Sequence, residues 1–430
     1  MGSFIQLLLI TSMPIIKFLL MTVLGVFLAT KRIDILSETA RHHLNQMVFY
    51  VFGPALVGSY IAQTITLEGF ITMWFMPINI MLTFVIGSAL GWVLGKITRA
   101  PKHMMGLVVS SCSAGNLGIL PIIIIPAICN QPGSPLGAAA VCNQHGLAYA
   151  SLSMAMASIY QWLYVYNIVR ISSKKKVETT TADRCDGIDK QSGAATVLNI
   201  PDSERVSSSE FTQTATVDVV ERLPSTHQSA AGSIDHFSGN KFMIATSFKI
   251  KQGLRNTCKN INLKAVLAPT TIAAAVGFFI GMIPLFRKLL FGKNAPLRVV
   301  ADTTSMIRDA AIPLATLIIG ANLLKGLKGS RVKLTIILGI IVVRYIILPL
   351  LGILVLKGAV RAGFVQSHDI LLQFVILLQY ALPPSVAIAT ITQLFGEGES
   401  ECSVIMLWTY VVAPATVTLW CTFFLWLLSH

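Results

Sequence analysis

Ten long apolar runs, separated by short polar stretches, fall into two groups of five. A bilayer core of about 30 Å needs roughly 20 apolar residues in helical conformation. On that ruler the first group predicts membrane helices at Phe4–Ala29, Leu44–Gln63, Phe70–Gly95, Met104–Ile128 and Ala138–Ile168. The second group predicts them at Asn262–Phe286, Ser305–Leu324, Val332–Leu356, Ile370–Leu394 and Cys402–Leu428. The first run lacks a leading basic region, so it is expected to remain as a helix and not to act as a cleaved signal. Between the groups, Ser172–Gly239 is rich in Ser, Thr, Asp and Gln and poor in aromatics. Such a stretch cannot bury enough apolar surface to offset its ordering entropy and predicts a disordered loop. Lys241–Lys259 is basic with scattered apolar residues. It reads either as an amphipathic helix on a membrane surface or as an unstructured basic lead-in. The expected organisation is an N-terminal five-helix repeat over 1–170, a loop over 171–240, a surface segment over 241–260 and a C-terminal repeat over 261–430.

Composition agrees with an all-α polytopic membrane protein. Hydrophobic residues make up 54% and charged residues 12% of the chain, with a mean hydropathy of +0.71. A water-facing globule carries about 25% charged residues, so the surplus apolar surface must face lipid. The formal charge of +14 does not indicate nucleic acid, because Lys and Arg lie between the apolar runs and not on one patch. Their distribution sets topology instead. Loops holding Lys31, Arg32 and Arg41, then Lys96, Arg99 and Lys102, then Lys325, Lys328, Arg331 and Lys333 alternate onto one side, with Lys174–Lys176 of the long loop. That side is expected to be cytosolic, with both termini opposite. The loop with Arg287, Lys288, Lys293 and Arg298 dissents, falling on the non-cytosolic side.

Five helices, a loop and five more place the halves in the membrane in opposite directions, the arithmetic of an inverted repeat. Lys96 and Arg99 precede the fourth run, and Pro121 follows Lys96 by 25 residues. Lys357 and Arg361 precede the ninth, and Pro383 follows Lys357 by 26. The fourth run contains Ser113-Ala114-Gly115-Asn116-Leu117-Gly118-Ile119-Leu120-Pro121, the ninth Gln379-Tyr380-Ala381-Leu382-Pro383-Pro384-Ser385. Pro removes a backbone donor and Gly relaxes the helix, so both helices are expected to break at matching positions. Paired breaks point to a transporter's binding site. They expose half-helix N-termini, which suit an anion such as a carboxylate, and Asn116 adds an amide donor. Gly115, Asn116, Leu117, Pro121, Pro383, Pro384 and Ser385 are the resulting candidate substrate-binding residues, with Gln379 and Tyr380 as lining. Asn322 either lines the cavity or bonds across helices. Ser59 and Ser153 either meet the ligand or mediate helix packing. Arg344, deep in the eighth run, and Lys17 in the first are intramembrane charges, either functional or snorkelling.

No Asp or Glu lies near the centre of the fourth, fifth or ninth run, which argues against a cation exchanger. No nucleophile–base pair, metal pattern or cofactor motif is present in the sequence, so neither an enzyme nor a cofactor is expected. Cys129 and Cys142 flank a short loop and either form a disulfide in an oxidising compartment or remain free thiols.

Gly115-Asn116-Leu117-Gly118 with Pro121, Tyr164-Val165-Tyr166-Asn167, Ile312-Pro313-Leu314 with Gly320-Ala321-Asn322-Leu323, Leu382-Pro383-Pro384, and Glu401-Cys402-Ser403 before Trp408 together resemble the plant PIN-LIKES family. The resemblance covers both membrane halves and stops in the central loop. It implies an auxin carrier of the endoplasmic reticulum membrane that moves indole-3-acetic acid from cytosol to lumen and so tunes auxin signalling. By similarity to the related PIN-FORMED exporters, it implies a scaffold plus a transport domain, with helices four and nine crossed at their breaks and Asn116 contacting the carboxylate. The ninth helix departs from the exporters: Pro383 and Pro384 are adjacent and no Asn follows, which leaves Ser385 open. The exporters' ionisable support site has no clear counterpart. Expected partners are a small carboxylate, membrane lipid and, as one open option, a second copy of the chain. The alternatives are a carrier of another organic anion on this fold or a membrane receptor or scaffold that does not transport.

Overall fold

In lipid every backbone N–H and C=O must be satisfied within its own segment, and the apolar runs accordingly form helices. The computed structural model describes residues 2–172, 267–292, 295–327, 332–395 and 398–429, and the segments expected at 171–240 and 241–260 lie almost wholly outside them. Among these residues the helical elements follow in order. They are α1 (Gly2–Leu28), α2 (Glu38–Thr64), α3 (Leu67–Thr72), α4 (Phe75–Ile97), α5 (Met105–Ser113), α6 (Ile119–Cys129) and α7 (Ala139–Tyr160). The second half has α8 (Pro269–Met282), α9 (Pro284–Leu290), α10 (Arg298–Leu327), α11 (Leu334–Arg361), α12 (Ile370–Ala381), α13 (Ala387–Phe395) and α14 (Glu399–Ser429). No strand occurs among the described residues.

By length and apolarity, α1, α2, α4, α10, α11 and α14 can each cross a membrane, and α8 with α9 makes a seventh candidate. The fourth and ninth runs are each split, into α5–α6 and α12–α13. The sixth turns by 100° between α8 and α9. Pro284 explains that turn, since it has no N–H to continue α8 and it holds Ile283 in extended backbone (φ −96°, ψ 111°). The second run begins earlier than Leu44, at Glu38, because the Ser37 hydroxyl accepts from the Ala40 N–H at 3.3 Å and starts the helix there.

Three helices carry a wide, π-helical turn: Val48–Phe52 in α2, Gln161–Val165 following α7, and Val343–Ile347 in α11. Such turns shift the register of side chains by one residue and recur at functional sites. Close helix pairing relies on small residues, as in lipid generally. Gly25 of α1 rests on the backbone of Leu317 and Gly320 of α10 on that of Thr22, while Gly58 and Gly277 bring α2 against α8. Large apolar side chains such as Leu20, Val85, Leu354 and Val411 are exposed along the helices and form the lipid-facing surface.

Cys129, ending α6, and Cys142, in the first turn of α7, are disulfide-bonded with Cα atoms 5.6 Å apart. Peptide mapping of unreduced, denatured protein should find both resistant to a maleimide that labels Cys112. Labelling of both before reduction would show free thiols.

Candidate functional site

The two broken helices meet at their breaks. Residues 114–118 and 382–386 leave helical geometry because Gly115 and the Pro383–Pro384 pair cannot sustain it, and the freed backbone groups pair across the gap. Gly115 and Pro384 form an antiparallel bridge. Asn116 N–H donates to the Pro383 carbonyl at 2.8 Å, and Ser385 N–H donates to the Ala114 carbonyl at 2.9 Å. Four half-helix ends therefore converge on one point: the C-termini of α5 and α12, and the N-termini of α6 and α13.

The C-terminal ends share one cap. Arg344, brought inward by the π-turn of α11, is 1% exposed. Its Nε donates to the Leu382 carbonyl at 3.0 Å, Nη1 to Cys112 at 3.1 Å, and Nη2 to Leu382 and to Pro383, the latter at 3.2 Å. It neither snorkels nor meets a carboxylate among the described residues. A helix C-terminus carries about half a negative charge, so two of them roughly balance one guanidinium. Gly115 leaves room for this close approach, since a Cβ there would stand 2.6 Å from Arg344 Nη2 and the guanidinium would have to shift.

The N-terminal ends remain, carrying about half a positive charge each. They border a cavity of about 960 Å³, counting its open mouth, to which Asn116, Gly118, Ile119, Ser385, Val386 and Ala387 contribute. Asn116 Oδ1 accepts the Ile119 N–H at 3.3 Å, capping α6. Its Nδ2 donates to the Tyr410 hydroxyl at 3.0 Å, which in turn donates to the Pro384 carbonyl at 2.9 Å. Nδ2 carries two hydrogens, so one stays available to the cavity. Ser385 Oγ accepts from Gln161 Nε2 at 2.8 Å and from the Ala387 N–H at 3.3 Å. The remaining walls are largely apolar, with Phe49, Leu56, Met154, Trp162 and Ile318 prominent. Two π-turns supply Phe49, Gln161 and Trp162. The arrangement suits an anion with an apolar, flat body: partial positive charge and amide donors at one end, and aromatic and aliphatic walls at the other.

The other sequence candidates are placed as follows. Leu117 and Pro121 are buried in the break and the first turn of α6, behind the cavity. Gln379 and Tyr380 point away from it into a buried network. There Asn79 Nδ2 donates to Gln379 Oε1 at 2.7 Å, the Tyr380 hydroxyl to Asn79 Oδ1 at 3.0 Å, and Gln379 Nε2 to Ser153 Oγ at 2.8 Å. This network holds α4, α7 and α12 together. Ser59 lines a separate apolar cavity. Asn322 lies in a polar vestibule with Glu38, Arg41, His42, Gln393 and Glu399, where α2 begins. Asn45 Nδ2 donates to Gln393 Oε1 at 2.6 Å and stands between vestibule and cavity. Lys17 is exposed on α1. Tyr410, Gln161, Phe49 and Asn79 were not legible in the sequence, since an isolated Tyr, Gln, Phe or Asn in an apolar run carries no motif.

Residues 10–421 match the family described as Membrane transport protein. Among similar proteins of Arabidopsis thaliana, Protein PIN-LIKES 1 is 44% identical over 419 residues, covering 97% of this chain and 79% of its own. Protein PIN-LIKES 3 is 42% identical over 429 residues, covering all of both chains, and Protein PIN-LIKES 4 is 40% identical over 447, covering 99% of both. A match at this identity along both membrane halves goes well beyond a shared hydropathy profile. This chain belongs to the PIN-LIKES family of multi-pass membrane transport proteins.

Proposed function

We propose that the protein is a secondary carrier of auxin, binding the indole-3-acetate anion at the crossing of the broken helices. The observation that carries this reading is the division of charge there. Arg344 occupies the two C-terminal ends, and the two N-terminal ends, with Asn116, face an apolar cavity. A monoanion fits a site with about one positive charge distributed over helix ends. A flat indole ring fits walls that include Phe49 and Trp162. The family resemblance implies the endoplasmic reticulum membrane and transport from cytosol to lumen. The vestibule at the start of α2 lies on the side that loop charges make cytosolic, and it leads toward the cavity through Asn45 and Gln393. The reading involves binding and movement only, with no covalent step. On this reading ten membrane passages form two inverted five-helix repeats, comprising a scaffold and a transport domain that carries the crossing.

Uptake of radiolabelled indole-3-acetic acid by purified protein in liposomes tests the cargo, with and without a pH gradient. Saturable uptake above protein-free liposomes is expected. Uptake that unrelated carboxylates compete away as well as unlabelled auxin would reassign the carrier to organic anions in general. No uptake and no binding of indole-3-acetate would remove auxin as the cargo.

A further inference from the structure

The basic loop that breaks the topology rule sits beside an apolar slot. At the face opposite the vestibule, a cavity of about 630 Å³ opens between α2, α8 and α10, walled by small and apolar residues such as Gly58, Ala273, Val276, Leu290 and Ala301. The only side-chain oxygens among its lining residues belong to Ser59 and Thr304. Ser59 is 7% exposed, and its hydroxyl has no hydrogen-bond partner. Leu290, Phe291 and Ala301 also border a second, polar cavity that adds Gln63, Arg298, Asp302 and Ser305. The two cavities are adjacent, an apolar slot with a polar pocket beside it.

That pocket is basic. Arg287 Nη2 donates to the Gln63 carbonyl at 3.0 Å, and Arg308 Nη1 to Gln63 Oε1 at 2.9 Å. Arg298 pairs with Asp302 and Arg308 with Asp309. Arg298 lines the pocket and Arg287 and Arg308 reach its Gln63, so three cations stand there against Asp302 and Asp309. The 100° turn after α8 lays α9 across the direction of the span, as a helix at the headgroup level would lie. Exposed Leu285 sits beside Arg287 and Lys288 on that short amphipathic piece.

We infer that this slot is a binding site for an anionic phospholipid, with an acyl chain between α2, α8 and α10 and the phosphate at Arg287 and Arg298. Charge complementarity selects the anionic headgroup. Each basic residue near a membrane surface favours an anionic lipid by about fivefold. The dissenting loop charge is thereby assigned to lipid recognition, not topology. The inference is independent of the cargo.

Native mass spectrometry of the full chain tests it, after incubation with equal amounts of phosphatidylserine and phosphatidylcholine of identical acyl chains. Wild-type protein is expected to retain phosphatidylserine preferentially, and R298Q and R287Q each to lower that preference about fivefold. A301L, which fills the shared wall, is expected to lose the adduct. R298Q alters an exposed side chain, so the test survives should A301L fail to fold. Equal retention of both lipids by wild type, or an unchanged preference in both arginine variants, overturns the site. A dimer mass in place of a lipid adduct would assign this face to a second copy and also overturn it.

Discussion

Replacing Arg344 by methionine is expected to destabilise the protein by about 3–5 kcal/mol, the range for removing one partner from a buried charged network. The loss would register as a lower unfolding temperature in detergent and as absent uptake. The cause is local. Arg344 satisfies the Leu382, Cys112 and Pro383 carbonyls, which have no helical partner because both helices stop there. A thioether donates nothing, and each buried carbonyl left unpaired costs about 1–3 kcal/mol. The substitution also removes the charge that balances the two C-terminal helix ends, so the crossing would turn net negative toward an approaching anion. R344K separates these effects. Lysine keeps the charge but lacks the planar fork that reaches three carbonyls at once. It should recover part of the preference for a carboxylate over its neutral amide while recovering little stability. Wild-type stability and uptake in R344M would show that the crossing does not depend on Arg344.

The breaks were legible because Gly and Pro act through the backbone alone. Gly115 and Pro383–Pro384 announce interrupted helices whatever surrounds them, and the interruptions lie at those positions, while Pro121 sits in the first turn of the helix that resumes after the break. What joins the broken ends was not legible. Arg344 stood out as an intramembrane charge, but its partners are carbonyls, which every residue possesses, so no complementary side chain marked them. The three π-turns were equally silent, since a one-residue bulge leaves no compositional trace. Yet they deliver Arg344, Gln161, Trp162 and Phe49 to the crossing. Polar residues on apolar runs proved ambiguous for the same reason. Asn116 and Ser385 reach the cavity, whereas Gln379, Tyr380 and Ser153 pair with each other and Asn79, and Asn322 reaches the vestibule. The hydropathy ruler finds apolar length but not direction, and for that reason the sixth run read as straight although Pro284 turns it.

Asn116→Ala should weaken indole-3-acetate binding by about 1.5–3 kcal/mol, the value of a hydrogen bond to a charged group, or roughly ten- to a hundredfold in affinity. The side chain has two duties, so the measurement must separate them. Oδ1 caps α6 through the Ile119 N–H, and losing a cap costs about 1 kcal/mol of stability. Nδ2 bonds Tyr410 with one hydrogen and has a second to donate, and Asn116 lines the cavity. Asn116→Asp keeps the acceptor that caps the helix but replaces the amide donor with a negative charge beside the ligand's own. It loses the bond to Tyr410, whose one hydrogen already goes to the Pro384 carbonyl, so it should be less stable than wild type and bind the anion less tightly than Asn116→Ala. If Asn116 acted only as a cap, the order would reverse, with Asp binding like wild type and Ala weakly. Equilibrium binding of labelled indole-3-acetate to the three purified proteins, each checked by thermal unfolding, decides between the orders. Unchanged affinity in a folded alanine variant would remove Asn116 from the site. The Asp variant bears most directly on the charge argument: it keeps the acceptor for the Ile119 N–H and changes the sign of the field at the one point where the carboxylate is proposed to sit.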